Sequence, residues 1–544
     1  NYNTVVGDEA GTALTTGDAN VAIGFKALFT ENAHGHTVAI GSGALQRQDA
    51  GADSYNVAIG SSAGTQVTTG TSNTLIGGLA GDAITTASNN TAVGYLSLSA
   101  NTTGVSNTAL GAFALDANTT AANNVAVGSQ SLGANTTGSS NVAVGTNALD
   151  ANTTGGSNIS VGINALGANT TASNNVAVGH ESLKSNTTGA SNVAVGAYAL
   201  DANVSSSSNT AIGYNSLTTN TAASNTAIGK DSLEANSSGG SNVAVGADAL
   251  SSNTTASNNT AVGKSALVAN TTGANNTAVG KSALTANTTG TQNVAVGSQS
   301  LLAHTTGNYN VAVGQNVLVS NTTASDNTSV GAYSLDSNTT GGSNTAVGKE
   351  ALGSNTTASN NTGLGYLALQ LNTTGTRNTA VGNAALTTNT TGDFNTAVGS
   401  HSLFYNTTAS NNTATGYLAL HKTTTGANNS AVGFGALEEN TTGAGNTAVG
   451  YTASDAITTG SNNVSVGLAA LTSDTLGNKS VAIGNYSLAY QNFTSATDTY
   501  NTAVGYEAGN RVTTGIQNTL IGGLAGDALT TGSYNISIGY KALS

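Results

Sequence analysis

A unit of 17 residues repeats along this whole chain of 544 residues. Its marker is a glycine after a short run of polar and aliphatic residues, as in Asn141-Val-Ala-Val-Gly145, and we count 32 copies. Successive marker glycines are 17 residues apart except at three steps, of 19, 16 and 21 residues. A fixed period of this length is typical of a solenoid, in which each unit contacts only its neighbours. We therefore predict one continuous solenoid over residues 1–544, with irregular coils near 42–56 and 485–501.

The copy at residues 141–157 serves to name the positions of the repeat. In chain order these are the strand asparagine Asn141, the strand alanine Ala143, the strand aliphatic residue Val144, the marker glycine Gly145, the turn alanine Ala148, the turn leucine Leu149, the loop asparagine Asn152, and the loop threonines Thr153 and Thr154. The runs around Val144 and Leu149 are short and extended in character, and Asn, Gly and Ser cluster between them as turns require. Glycine and β-branched residues disfavour a helix.

The pattern predicts an all-β solenoid, a β-roll of 32 coils with 17 residues and two short strands per coil. We expect the strand aliphatic residue and the turn leucine to fill its core. Two vertical rows should result, one of them Val262, Val279 and Val296, and the other Leu267, Leu284 and Leu301. The glycine after each strand should serve a bend or a close approach of two backbones.

Two positions of the repeat covary, which disfavours a disordered chain. Six copies lack the turn leucine, and in all six the loop asparagine becomes aliphatic. The paired residues are Gly11 with Leu14, Gly64 with Val67, Gly81 with Ile84, Ser454 with Ile457, Gly509 with Val512, and Gly526 with Leu529. The aliphatic loop residue of each pair should fill the core volume that the turn leucine fills in the other copies.

The asparagines and loop threonines should form ladders, because stacked coils place identical residues about 4.8 Å apart. The alternative for Asn-Thr-Thr is N-glycosylation, since it matches the acceptor motif. That match accompanies every copy of the repeat, which favours the structural ladder. A longer duplication is also present, because residues 73–83 and 518–528 are identical and each copy follows an irregular step. The irregular steps are the best candidates for contacts with a partner.

The composition excludes several classes of function. Only 7% of the residues are charged and the net charge is −13, so the basic footprint of a nucleic-acid-binding protein is absent from the sequence. No apolar run approaches the length of a membrane span. The six histidines are His34, His36, His180, His304, His401 and His421. The His34-Gly-His36 pair is only a weak candidate for a metal site, because the sequence contains no Cys and no evident third ligand. We therefore expect no enzyme, and no catalytic, cofactor or metal-binding residues.

One chain carries only about two large aliphatic side chains per coil, so we expect several chains to associate laterally. The small residues should permit the close approach of a neighbour, through the row of Ala261, Ala278 and Ala295 or the row of Ala266, Ala283 and Ser300. Parallel rods in register imply a closed cyclic assembly. This argument does not fix the number of chains.

The motifs Asn141–Gly145 and Asn446–Gly450 resemble the head repeats of trimeric autotransporter adhesins of the YadA type. Val21–Gly24 and Val481–Gly484 are most similar to the strand of that family, whereas the 17-residue form with Asn-Thr-Thr-Gly resembles repeats of phage tail fibres. The resemblance implies a left-handed β-roll and a parallel homotrimer. The repeat of the adhesin heads is commonly shorter than the one found here.

The leading hypothesis is thus an extracellular fibre shaft on a cell surface or virion, which displays or supports recognition of an unknown receptor or glycan. The alternative is an extracellular filament built from solenoids stacked end to end. An ice-binding solenoid is a minor alternative, because adjacent loop threonines in an extended segment point to opposite faces. The sequence begins and ends within repeats, so we expect a processed product or part of a longer protein.

Overall fold

The computed structural model describes residues 2–544 and confirms a solenoid of stacked parallel coils with about 17 residues per turn. It consists of two compact units, Asn1–Thr272 and Gly273–Ser544. Over the described residues the secondary structure is strand and turn without helix, so no helix there could cross a membrane. Nearly every strand has three residues and lies between a strand asparagine and its marker glycine.

The strands of the first unit are β1 Thr4–Val6, β2 Val21–Ile23, β3 Val38–Ile40, β4 Val57–Ile59, β5 Thr74–Ile76, β6 Thr91–Val93, β7 Thr108–Leu110, β8 Val125–Val127, β9 Val142–Val144, β10 Ile159–Val161, β11 Val176–Val178, β12 Val193–Val195, β13 Thr210–Ile212, β14 Thr226–Ile228, β15 Val243–Val245 and β16 Thr260–Val262. Those of the second unit are β17 Thr277–Val279, β18 Val294–Val296, β19 Val311–Val313, β20 Thr328–Val330, β21 Thr345–Val347, β22 Thr362–Leu364, β23 Thr379–Val381, β24 Thr396–Val398, β25 Thr413–Thr415, β26 Ser430–Val432, β27 Thr447–Val449, β28 Val464–Val466, β29 Gly477–Asn478, β30 Val481–Ile483, β31 Thr497–Asp498, β32 Thr502–Val504, β33 Thr519–Ile521 and β34 Ile536–Ile538.

Within each unit, equivalent residues of successive coils lie side by side. Val142 of β9 is paired with Val125 of β8 on one side and with Ile159 of β10 on the other, always in parallel. The irregular steps preserve this register, because β3 pairs with β4 and β30 pairs with β32. The inserted residues are therefore accommodated in the loops. In the second unit they allow the two short strands β29 and β31 to pair with each other.

The prediction of two strands per coil is wrong, since most coils contain a single strand. The segment around the turn leucine is a turn, and Leu149 and Asn147 have φ angles of 54° and 55°. Left-handed residues interrupt an extended strand. The turn is nevertheless tied to the adjacent coil, because the Leu149 N–H donates to the carbonyl of Ala165 at 3.0 Å.

The core is built from the turn leucines and the small residues, and the prediction for the strand aliphatic residues is wrong. Leu149, Ala143 and Ala148 are fully buried within the single chain, whereas Val142 and Val144 are partly exposed. Successive side chains of a strand point to opposite faces, and Asn141 and Ala143 occupy the inner one. The strand aliphatic residues thus face outward.

Both rows of small residues that were predicted to meet a neighbouring chain are buried inside this chain instead. The rows of Ala261, Ala278 and Ala295, and of Ala266, Ala283 and Ser300, all have no exposed surface. Their small side chains allow the two sides of each coil to pack closely, which keeps the core thin. At Gly363, which replaces a strand alanine, a Cβ atom would lie 3.5 Å from Cγ of the turn leucine Leu352. An alanine in that position is therefore in van der Waals contact with a turn leucine.

Asparagine ladders cross the interior, as predicted. Asn152 donates from Nδ2 to Oδ1 of Asn135 and to the carbonyl of Gly155, both at 2.9 Å. Asn141 donates from Nδ2 to the same Gly155 carbonyl at 2.9 Å, and its Oδ1 accepts the N–H of Asn158. The loop asparagines are buried and hydrogen-bonded, so the structure supports the structural ladder rather than an N-glycosylation site. Thr153 bonds differently from the prediction, because its Oγ1 donates to the Thr170 carbonyl and not to a threonine side chain.

The exchange of the turn leucine for an aliphatic loop residue fills one core volume in four of the six copies, as predicted, whereas Leu14 and Leu529 near the two ends of the chain are partly exposed. Val67, Ile84, Ile457 and Val512 are fully buried. A Cβ atom on Gly509 would lie 3.5 Å from Val512 Cγ2 and only 2.6 Å from Cδ1 of Leu520. Gly509 therefore leaves no cavity. Leu520, which replaces the strand alanine of the next coil, supplies much of the filling volume.

Candidate functional site

The outward-facing side chains of the strands form a surface in each unit, here called the outer strand face. It consists of a nearly continuous row of strand aliphatic residues, such as Val144, and of a second row two positions before them. The second row is Val or Ile in about half of the coils of the first unit, as at Val142, and mostly Thr in the second unit. Leu110 and Ile159 are 46% and 42% exposed on this face. Sixteen coils spaced by about 4.8 Å, each presenting two side chains about 7 Å apart, give roughly 500 Å² in the first unit. Exposed apolar patches of this size commonly mark interaction sites.

An aromatic surface lies on the second unit, where the residue after the marker glycine is aromatic in three successive coils. Phe434 stacks on Tyr451, with ring centroids 5.1 Å apart and planes inclined by 10°, and Tyr417 lies 5.4 Å from Phe434. These three side chains, here called the aromatic row, are between 43% and 56% exposed. Exposed, rigid rings provide large contact areas at low entropic cost.

The aromatic row continues into a cluster of four further rings. His421 lies 5.2 Å from Tyr405 and 5.5 Å from Phe404, and His401 lies 6.4 Å from Tyr417. The four residues of this cluster are His401, Phe404, Tyr405 and His421. The sequence prediction missed the cluster because its four members occupy three positions of the repeat in two coils, and only the stacking of coils brings them together.

The two lengthened steps, of 19 and 21 residues, fold into related structures, here called the first and second insertion coils. In the first, Gln48 donates from Nε2 to Glu31 Oε2 at 3.2 Å and Asn56 donates to Gln48 Oε1 at 2.8 Å. In the second, Gln491 donates to Asp474 Oδ2 at 2.6 Å and Asn501 donates to Gln491 Oε1 at 2.8 Å. A buried carboxylate thus replaces the loop asparagine in both coils.

The surfaces of the two insertion coils also correspond. His36 faces Asp53 and Tyr55 in the first coil, with Nδ1 3.5 Å from Asp53 Oδ2. In the second coil Lys479 donates to Asp498 at 2.7 Å and lies 5.0 Å from the centroid of the Tyr500 ring. Each coil therefore presents one basic, one acidic and one tyrosine side chain at the surface.

Seven aspartates share the position after the turn leucine or its replacement. In six of them, burial and hydrogen bonds within the turn act on the pKa in opposite directions. Burial raises the pKa of Asp116 and Asp150, while hydrogen bonds from the N–H groups of each residue and of the alanine after it oppose this rise. The six residues are Asp82, Asp116, Asp150, Asp201, Asp336 and Asp455. Asp116 and Asp150 lie two coils apart, about 10 Å at the spacing of paired strands. This separation gives no close carboxylate pair.

The histidines are distributed over different environments. His304 replaces a loop asparagine and is buried, with Nε2 2.8 Å from the Gly307 carbonyl oxygen. Its Nδ1 lies 3.0 Å from Nδ2 of Asn321. Burial lowers the pKa of His304. His180 packs its ring against Tyr198 at 5.4 Å. His34 and His36 belong to the first insertion coil, where His34 meets Glu31 and Asp49.

No family model, curated protein or solved structure matches this chain. A function is therefore inferred from the fold and its surfaces.

Proposed function

We propose that this chain is a non-enzymatic structural segment of an extracellular fibre, an adhesin or a phage-type tail fibre, that supports or displays recognition of a surface. The outer strand face is the observation that carries the proposal. It repeats an aliphatic residue in nearly every coil, flanked by a Val, Ile or Thr, whereas the core of each coil is closed within one chain. A long apolar face outside a complete fold is suited to lateral association.

The partner that best fits the outer strand face is a second copy of the same chain. Its side chains recur at the spacing of paired strands, about 4.8 Å, and an identical surface matches that spacing over its full length. The roughly 500 Å² on the first unit approaches the area that one partner buries in the smallest stable interfaces, about 600 Å². Parallel copies in register form a closed ring, and the resemblance to adhesin heads supports three chains.

The aromatic row supports a role in recognition. Tyr417, Phe434 and Tyr451 present ring faces to solvent, and sugar rings with apolar C–H faces pack well on such surfaces. A glycan of a cell surface is therefore the proposed ligand. Its binding site would lie on the fibre shaft itself.

Native mass measurement of the intact chain tests the assembly. We expect three times the chain mass of 52.8 kDa. Replacing Val127, Val144 and Val161 with lysine should separate the chains, because three adjacent charges would be buried without partners. The matched control replaces Ser129, Thr146 and Ile163, which are exposed after the marker glycines of the same coils. A folded wild-type monomer would contradict the trimer, and a series of increasing masses would favour the end-to-end filament.

A further inference from the structure

The first insertion coil contains a buried carboxylate whose hydrogen-bond donors are all uncharged. Glu31 is fully buried. Its Oε1 accepts the His34 N–H at 3.2 Å, and its Oε2 accepts Gln48 Nε2 at 3.2 Å and the Ala50 N–H at 3.4 Å. A buried charge is costly unless a counter-charge or a metal ion accompanies it. The site therefore favours a cation beside Glu31.

Two further side chains converge on this carboxylate. His34 Nδ1 lies 3.4 Å from Glu31 Oε1, is shielded from solvent, and forms no hydrogen bond within residues 2–544. Asp49 reaches the same point from the next coil. One potential ligand atom from each of Glu31, His34 and Asp49 lies within 4.8 Å of the other two. Sequence reasoning missed this group because it considered only His34 with His36.

The distances suit a zinc-like ion. Two ligands bound at about 2.0–2.2 Å in tetrahedral geometry are roughly 3.3–3.6 Å apart. The separation of 3.4 Å between His34 Nδ1 and Glu31 Oε1 falls in this range. Asp49 is exposed, so its side chain has room to complete the set. One imidazole and two carboxylates leave a fourth position for water.

The second insertion coil shows that the buried network does not need these ligands. Gly477 and Asn492 occupy the places of His34 and Asp49, and Asp474 replaces Glu31. Gln491 still bonds Asp474, and the N–H of Gly477 donates to Asp474 Oδ1 at 3.0 Å. Burial raises the pKa of Asp474, which favours its neutral form. His34 and Asp49 are therefore additions to a network that is complete without them.

We propose that Glu31, His34 and Asp49 bind one divalent transition-metal ion of the zinc class. The ion would join two successive coils, because Glu31 and His34 lie in one loop and Asp49 lies in the next. It would neutralise the buried carboxylate and fix the irregular loop of the insertion. This site is independent of the proposed fibre function.

Zinc titration of the untagged, metal-stripped chain in competition with a chromophoric chelator tests the proposal. We expect one zinc ion per chain, and the visible absorption of a four-coordinate site when cobalt replaces zinc. Asp49→Asn should lower the affinity at least about tenfold, because the loss of a hydrogen-bond partner of a metal ligand alone costs about 10–100-fold. This variant is nearly isosteric and creates the residue type found in the second insertion coil. His34→Ala should have the same effect.

His36→Lys is the control, because it removes the neighbouring imidazole and introduces the residue type of the second insertion coil. It should retain stoichiometric zinc. Hydrogen exchange of residues 31–50 should slow on zinc addition in wild type and in His36→Lys, but not in Asp49→Asn. Wild-type binding no tighter than that of Asp49→Asn would overturn the proposal, as would an equal loss in His36→Lys.

Discussion

Asn152 donates a hydrogen bond from Nδ2 to Oδ1 of Asn135 in the preceding coil, at 2.9 Å. The second Nδ2 hydrogen serves the Gly155 carbonyl of its own coil, so one amide both links coils and closes a loop. Aspartate has no such donor at neutral pH. This requirement explains why asparagine recurs at the loop position.

His304 should make the stability of its coil depend on pH. It replaces a loop asparagine, and burial lowers its pKa below the ordinary value of about 6.5. The unfolded chain then binds the proton more readily than the folded chain. The stability is fully present above pH about 6.5 and is lost as the pH falls toward the lowered folded pKa. Hydrogen exchange around residues 304–321, corrected for intrinsic rates, should therefore accelerate in mild acid.

His304→Asn is the matched control for this pH effect. It restores the residue type of neighbouring coils such as Asn287 and Asn321, so the acid sensitivity of this region should disappear. The other five histidines remain in the variant and account for any pH dependence that persists. Equal acid sensitivity in both proteins would refute the assignment to His304.

Val512→Asn should destabilise its coil by about 1–3 kcal/mol, because it loses apolar burial and introduces an amide into a volume bounded by aliphatic groups. Val512 is fully buried beside the position of Gly509. Thr514→Asn, at an exposed position of the same loop, should have little effect. Unchanged hydrogen exchange of residues 502–520 in Val512→Asn would contradict the shared core volume.

Gly145→Ala should destabilise the first unit by about 1–3 kcal/mol or more. Gly145 has a φ angle of 134°, and an added Cβ atom would lie 2.6 Å from the carbonyl oxygen of Gly162. Gly133→Ala is the comparison, because its nearest neighbour would be 3.4 Å away, an ordinary contact. Chemical denaturation followed by circular dichroism measures both variants. Equal stability of the two would argue against a close backbone approach at the marker glycine.

Replacing Tyr417, Phe434 and Tyr451 with serine should abolish glycan binding by the proposed surface and leave the fold intact, because these rings project from the solenoid. A glycan array with the intact chain supplies the ligand, and titration of that glycan compares the variants. Serine replacement of Tyr95, Tyr214 and Tyr366, which share the position but lie outside the row, is the control. Undiminished binding by the triple variant would place recognition elsewhere.

The repeat period, the asparagine ladders and the core exchange at Gly509 and Val512 could all be predicted from the sequence, because each follows from the stacking of identical positions. The orientation of Val144 could not be predicted from size alone, since larger aliphatic residues usually lie inside. The alternation of inward and outward side chains along the strand does indicate the orientation of Val144. An inward Asn141 places Ala143 inside and Val144 outside.

The candidate sites were harder to predict for a different reason. Glu31, His34 and Asp49 come together because one coil lies on the next, and the irregular step between the marker glycines Gly41 and Gly60 obscures which residues are neighbours. The ring cluster of His401, Phe404 and His421 depends in the same way on contacts between coils. In each case the chemistry is distributed over two copies of the repeat.

The shared register of β8, β9 and β10 has a consequence for how such a chain can change in length. When one whole repeat is removed or duplicated, the coils that become adjacent still have equivalent residues side by side. The asparagine ladders and the core packing are then preserved. Genes for such proteins can gain or lose copies through unequal recombination while the products still fold. Reach and surface chemistry can therefore be altered in discrete steps, one coil at a time.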